Sequence, residues 1–343
     1  MKRFMLVLAV AALALVVIFS GCAKKEEAAA PSEQVQTIKL TYSVFFPPTH
    51  KQAELAQAFA DEIKQRTNGR VEITLFPGGT LTKAPQVFEG VEQGISDMGM
   101  SCFAYTRGRF PITAALDLPM GYKNGKIATQ AANDYIEATK PDELMSVKLL
   151  YVHSHGPGLL HTIKPVKSLK DLKGMKIRAT GLSADIVKAL GAVPVAMQQG
   201  ETYEALQKKV VEGTFGPIEV LKGWKQAEVI KSTTDCNAIG YTTAMFVIMN
   251  KDKWNSLPPD IQKIFEEVSK EWIVKHGEAW DAIDAEGREY TLSLKNQIIT
   301  LDAKEQEKWV KSVKSVIDDY IKNTPEGSKF IATLQDILKK YPE

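Results

Sequence analysis

The sequence predicts an α/β fold, on three observations. Strand-patterned and helix-patterned segments take turns from about residue 38 to residue 250. Apolar residues make up 44% and charged residues 24%, the balance of a globular chain rather than a disordered or polytopic membrane one. At 343 residues the chain is long enough for two domains or one large α/β unit. Lys and Arg number 43 against 41 Asp and Glu, and that near-neutrality argues against nucleic acid as the main partner.

The elements follow in order. Ile38 to Val44 alternates toward a strand. Pro47-Pro48-Thr49 opens a helix over about residues 50–66, with Leu55, Phe59 and Ile63 four apart on one face. Asn68-Gly69 is a turn, Val71 to Phe76 alternates strictly, and Pro77-Gly78-Gly79 breaks it. A helix near 85–93 and a strand near 97–101 come next, and this rhythm implies a parallel sheet covered by helices. From Pro111 to about Pro141 the pattern is mixed helix and loop. Strands are expected over Val147–Val152, Met175–Arg178 and Phe246–Met249, and helices over 167–173, 185–190, 203–212 and 219–229. Pro258-Pro259-Asp260 starts a long helix. Its Ile261, Ile264, Phe265, Val268, Trp272, His276 and Trp280 fall at three- and four-residue steps, which reads as a packing face with His276 a core histidine. Helices near 304–322 and 328–339 close the chain.

The N-terminus reads as an address. Lys2 and Arg3 precede sixteen apolar residues, Phe4 to Phe19. A spanning helix needs about 20, so the run is better taken as a signal-peptide core. It ends at Ser20-Gly21-Cys22, which resembles the bacterial lipobox, with Phe19 where that motif usually has Leu, Val or Ile. The expected organisation is a lipoprotein signal peptide over 1–21, lipidation at Cys22 and a flexible Lys/Glu/Ala/Pro/Ser/Gln tether over 22–36. The protein is then expected at the periplasm or cell surface, lipid-anchored to a bacterial membrane. Loss of residues 1–21 removes Lys2 and Arg3 and no acid, leaving 41 acidic side chains matched by as many basic ones. Three cysteines are too few for a disulfide framework. With Cys22 acylated, Cys102 and Cys236 either pair or stay as buried free thiols.

Signals for catalytic chemistry are sparse in the sequence. No Gly-x-Ser-x-Gly elbow, His-Glu-x-x-His, Walker loop or dinucleotide glycine fingerprint is present, and no cofactor is implied. His153 and His155 would share one face of a strand, with His161 nearby, which permits two imidazoles on one metal. No acidic or thiol ligand lies close in sequence, and a hydrogen-bonded loop or a pocket wall is the simpler reading. No metal site is therefore assigned. Arg178 ends an apolar strand just before Ala179-Thr180-Gly181, the place where open α/β sheets bind ligands. Its guanidinium offers a rigid fork matched to a carboxylate.

Several segments then carry a family resemblance. Thr67-Asn68-Gly69-Arg70-Val71 is followed by Phe76-Pro77-Gly78-Gly79-Thr80-Leu81, then by Gly94-Ile95-Ser96-Asp97-Met98-Gly99 and Gly108-Arg109-Phe110-Pro111 with Leu118-Pro119. The most specific is Leu169-Lys170-Asp171-Leu172-Lys173-Gly174-Met175-Lys176-Ile177-Arg178. Tyr203-Glu204-Ala205-Leu206-Gln207, Val211-Glu212-Gly213 and Asn250-Lys251 before Trp254 follow in order. From Ile38 onward the chain resembles the solute-binding proteins of tripartite ATP-independent periplasmic (TRAP) transporters, the DctP family. The resemblance implies a two-lobed, type II periplasmic-binding-protein-like fold over 37–343 with a long lobe-spanning helix. Lobe 1 is expected over about 37–160 with part of that helix, and lobe 2 over about 161–250 with the C-terminal helices.

The resemblance also implies an organic acid in the interlobe cleft, membrane permease subunits as partners, and Arg178 as the carboxylate anchor. Departures from the family pattern shape the expected ligand. Where sugar-acid binders tend to place a second arginine, this chain has Gly158, close to His155 and His161. The Gly-Gln-Glu-Asn-Pro-like segment is here Gly213-Thr214-Phe215-Gly216-Pro217. The expected wall comprises Phe45, Phe46, Ser101, Cys102, Phe103, His155, Gln199, Phe215, Gly216 and Tyr241. Such a cleft has lost hydrogen-bonding groups and gained aromatic surface, which suits a monocarboxylate with an apolar or aromatic body. The alternatives are a lipoprotein receptor serving a metal or a chemosensor, and a secreted lipoprotein enzyme.

Overall fold

The computed structural model describes residues 37–341. The expected signal peptide, Cys22 and the tether lie outside the described residues. Eleven strands form two sheets: Ile38–Val44 (β1), Val71–Phe76 (β2), Met98–Cys102 (β3), Val147–Ser154 (β4), Leu159–Thr162 (β5), Lys176–Ala179 (β6), Val193–Ala196 (β7), Gly213–Gly216 (β8), Ser232–Asp235 (β9), Ala244–Asn250 (β10) and Gln297–Thr300 (β11). The first sheet has the order β2-β1-β3-β10-β4 and the second β11-β9-β5-β8-β6-β7. Strands β1, β2 and β3 are parallel, as the strand–helix rhythm implies. β10 runs antiparallel to both β3 and β4, so the first sheet is mixed.

That strand corrects the expected lobe boundary. Residues 244–250 were expected in the second lobe, yet they pair in the middle of the first sheet. The reason lies in the segment itself: Ala244 to Met249 is an unbroken apolar run, buried at every position, as a central strand with two covered faces requires. The chain therefore crosses from the first lobe to the second at residues 155–158, returns at 236–243, and crosses again along the helix Pro259–Ser293. The last helix also departs from expectation. Tyr341, just past the helix Gly327–Leu338, donates to Asp134 Oδ2 at 2.8 Å, which ties this end of the chain to the first lobe.

The long helix buries Ile261, Phe265, Val268, Trp272, His276 and Trp280 of the expected stripe, with Ile264 half-buried. Trp272 Nε1 donates to the Leu55 carbonyl at 2.9 Å, locking it to the helix Lys51–Arg66. His276 is a core histidine, bonded to Tyr151 Oη at 3.1 Å and to Gln52. Against the same helix lies Gly125–Thr139, where the sequence pattern suggested only mixed structure. Its buried face is built of small residues apart from Tyr135 (Gly125, Ala128, Thr129, Ala131 and Ala132), so its periodicity is weak. Small residues are needed there. A Cβ at Gly125 would sit 2.5 Å from Trp280 Cβ, and one at Gly277 would sit 3.0 Å from Lys126 Cα.

Candidate functional site

Between the sheets the two lobes meet over a cavity of about 40 Å³. Ordinary ligand pockets are about 300–1,000 Å³, so the lobes are closed and a ligand must part them to enter. Cross-lobe contacts hold this state. The Gln199 N–H donates to Tyr105 Oη at 3.1 Å, and Arg107 pairs with Asp185 at 2.6 Å at the surface. Gly181 (φ +50°) touches the opposing lobe so closely that a Cβ there would lie 2.8 Å from Ala104 Cβ.

Arg178 reaches the cavity from the C-terminal end of β6, where strand alternation turns it inward between the buried Ile177 and Ala179. It is only 5% exposed. Its Nε donates to the Met197 carbonyl at 3.2 Å, and no carboxylate pairs with it among the described residues. Beside it, Gln199 is also buried, and its Nε2 finds no acceptor among the described residues. A guanidinium and an amide N–H thus face one small space with donors to spare.

Much of the rest of the wall is aromatic. Phe45 and Phe46 stand at the end of β1 with ring centroids 4.0 Å apart. Trp224 of the second lobe stacks over Phe45 at 6.2 Å, and Tyr105 meets Phe45 edge-on at 5.8 Å. His155, on the first crossing segment, meets Tyr241 and Trp280 edge-on at 5.7 and 6.1 Å. Burial holds its imidazole down at about 4, the bond to the Gly156 carbonyl opposes this, and the Arg178 charge lowers it further. It is neutral at physiological pH.

Tyr241 explains Gly158. Its ring stacks on Phe215 at 4.7 Å and its hydroxyl donates to the Phe215 carbonyl at 3.1 Å. A Cβ at Gly158 would lie 1.9 Å from Tyr241 Cε1. The phenol ring therefore fills the space into which any side chain at 158 would grow, and position 158 must be glycine while Tyr241 stays.

Of the expected wall, Phe45, Phe46, Cys102, His155, Arg178, Gln199, Gly216 and Tyr241 meet at the cavity. Three do not. Ser101 donates to the Ala84 carbonyl at 2.7 Å on the opposite face of β3 from Cys102, as the two-residue repeat of a strand demands. Phe103 packs edge-on against Phe110 at 5.1 Å and beside Phe246 at the same distance, inside the core. Phe215 stands behind Tyr241, one residue before Gly216, which faces the cavity.

The sequence reading missed Tyr105, Glu219, Trp224, Thr243, Met245 and Trp280. Trp280 was visible as part of the packing stripe. Trp224 was hidden in an expected helix over 219–229 that the chain interrupts, since Lys225 takes a left-handed conformation (φ +56°). Cys102 and Cys236 are free, buried thiols, and burial pushes the Cys236 thiol up to about 12. The histidines occupy separate networks. His153 accepts from Trp280 Nε1 at 3.1 Å, while His161 in β5 bonds Thr233 Oγ1 at 2.9 Å. Among the described residues no group of three His, Cys, Asp or Glu side chains could hold a metal ion.

Two α/β lobes closing on a small cavity with a buried cation define a solute-binding receptor. Residues 42–323 match the family model described as bacterial extracellular solute-binding protein, family 7 (DctP), and the chain belongs to this family. It is 30% identical over 224 residues to the 2,3-diketo-L-gulonate-binding periplasmic protein of Escherichia coli, covering 63% of this chain and 66% of that one, just under two thirds of its length. A TRAP periplasmic solute-binding protein from Bordetella bronchiseptica, with bound (R)- and (S)-mandelate, superposes with a TM-score of 0.82 at 30% identity, covering 89% of this chain and all of that one (100%). A marine metagenome TRAP solute-binding protein specific for aromatic acid ligands, from an unidentified microbe and in complex with metahydroxyphenylacetate, superposes with a TM-score of 0.85 at 27% identity, with 89% and 100% coverage.

Proposed function

We propose that this receptor binds a monocarboxylate with an apolar or aromatic body and hands it to the membrane permease of a TRAP-type secondary transporter. One observation carries the ligand class: Arg178 is buried in an aromatic-walled cavity with no carboxylate partner among the described residues. An unpaired buried charge is costly, and a ligand carboxylate removes that cost. In this reading the carboxylate takes the free Arg178 N–H groups and Gln199 Nε2, while Phe45, Phe46, Trp224 and Tyr241 enclose the body. Tyr241 over Gly158 leaves no room for a second arginine, which disfavours polyhydroxylated acids. The mandelate and aromatic-acid complexes of the two structural relatives point the same way.

Binding proceeds by closure. Arg178, Gln199 and Trp224 belong to the second lobe, and Phe45, Phe46 and Tyr105 to the first. Only the closed form offers both sets at once, so the ligand shifts the population toward closure. The proposal includes Cys22 as the lipidated N-terminus, residues 22–36 as the tether, and binding without turnover.

A thermal-shift competition tests the ligand class. Mandelate, phenylacetate and branched 2-oxo acids are expected to raise the melting temperature, and glucuronate is not. Stabilisation by glucuronate alone would overturn the assignment. Recovery of the bound acid chemically unchanged is expected, and a converted product would instead make the protein an enzyme.

A further inference from the structure

The cavity has a second charged wall. Glu219 lines it opposite the first-lobe rings and is 2% exposed. Its Oε2 accepts from His50 Nε2 at 2.9 Å. His50 caps the helix Lys51–Arg66, with its Nδ1 accepting the Gln52 N–H at 3.2 Å. His50, from the first lobe, thus orients the Glu219 carboxylate of the second. Of the lysines on the outer side of Glu219, Lys51 pairs with Glu54 at 3.2 Å and Lys222 with Glu286 at 2.7 Å, and Lys225 stands beside them. Asp284 accepts the Glu219 backbone N–H at 3.1 Å, and its own carboxyl is held well above the usual range by burial and by the Glu219 charge.

Glu219 Oε1 makes no hydrogen bond among the described residues. Around its His50 partner stand aromatic rings. Phe46 stacks on His50 at 4.5 Å, and Trp224 and Trp280 lie 5.7 and 6.4 Å from the same imidazole. Ring faces attract cations and repel anions. A neutral apolar acid uses neither this charge nor this bias.

We infer that the ligand is dipolar, with its carboxylate at Arg178 and a cationic nitrogen, ammonium or amidinium, directed at Glu219 among the rings of Phe46, Trp224 and Trp280. This rests on the assignment of Arg178 as the carboxylate anchor and adds a requirement on the ligand body. Opposite charges at two walls of one desolvated cavity fix the ligand's direction and discriminate against acids that lack the nitrogen.

The test uses the purified full chain, stripped of copurified ligand, and isothermal titration with matched pairs. The pairs are phenylglycine and phenylacetate, phenylalanine and 3-phenylpropionate, and 4-(aminomethyl)benzoate and 4-methylbenzoate. At least one amine-bearing acid is expected to bind about ten- to a hundredfold tighter than its partner, the worth of one charge-assisted hydrogen bond. Glu219→Gln keeps an acceptor for His50 and is expected to erase that preference. Glu219→Asp, which retains the charge one methylene further back, is expected to weaken the preference without erasing it, and serves if the glutamine variant does not fold. Arg178→Ala is expected to lose both members of each pair. Equal or tighter binding of the deaminated acid in every pair, or a preference that survives Glu219→Gln, overturns the inference. Arg178→Ala binding that survives for both members would instead overturn the anchor while leaving the role of Glu219 standing. Binding of no member of any pair overturns both.

Discussion

Replacing Arg178 by methionine separates the binding role of this residue from its structural cost. The side chain is 5% exposed, and its one hydrogen bond among the described residues is to the Met197 carbonyl. A well-packed apolar residue in place of a buried ionic group is often neutral to about 1–4 kcal/mol stabilising. Leaving the Met197 carbonyl without its partner costs about 1–3 kcal/mol. The ligand-free Arg178→Met protein is therefore expected to melt at the wild-type temperature or a few degrees above it. Ligand binding moves the other way. A bidentate arginine–carboxylate contact supplies two charge-assisted bonds of about 1.5–3 kcal/mol each. Their loss weakens affinity by roughly a hundredfold to ten-thousandfold. Calorimetric melting of the stripped protein and titration with the best acid measure the two effects. A drop of many degrees in the ligand-free protein would show Arg178 to be a structural pillar. Unchanged affinity would remove it from the site.

Other expectations follow from the same geometry. Asp117 is buried, accepts the Ala244 N–H at 2.8 Å and is pushed up to about 7 by desolvation, against 3.8 for the free group. The folded state then holds a proton that the unfolded state releases, so stability falls as pH rises from about 4 through 7, by on the order of 4 kcal/mol. Asp117→Asn is expected to flatten that limb in melts between pH 5 and 8. The histidines act in the opposite direction: burial holds His155 and His161 near 4 and His276 near 3, against 6.5 when unfolded. The unfolded chain gains those protons first, so stability falls as pH drops below about 6.5, and His161→Gln should shallow the acid limb. Gly158→Arg alone is expected to lower the melting temperature, because the new side chain meets the Tyr241 ring. Combined with Tyr241→Ala, it is expected to regain stability and to bind acids with a second carboxylate more tightly than wild type does, and a double variant as selective as wild type would refute the exclusion argument.

Much of the fold was readable along the chain because its signals are local. The three- and four-residue stripe from Ile261 to Trp280 marked the spanning helix, and the strict alternation of Val71 to Phe76 marked a strand. The helix Gly125–Thr139, faced with small residues, was not legible, since its surface is shaped by the close approach of Gly125 to Trp280 rather than by large apolar residues. In the site, strand order points to Arg178, but alternation along β3 and β8 turns alternate neighbours away from the cavity. Ser101 and Phe215, expected on the wall, are therefore turned off it, and only Cys102 and Gly216 of these pairs line it.

By itself, the sequence determined that the chain is an α/β receptor of this family, because periodicity and motif order are carried by residues near one another. It also pointed to Arg178, because strand order is readable along the chain. The pairing of β10 into the first sheet, the Tyr241 ring against Gly158, and Glu219 beside His50 were decided only by the tertiary structure. These are contacts between distant segments, and burial, not local propensity, selects them. The cavity consists of such contacts, so Arg178 could be singled out from the chain while the shape and charge of the pocket around it could not.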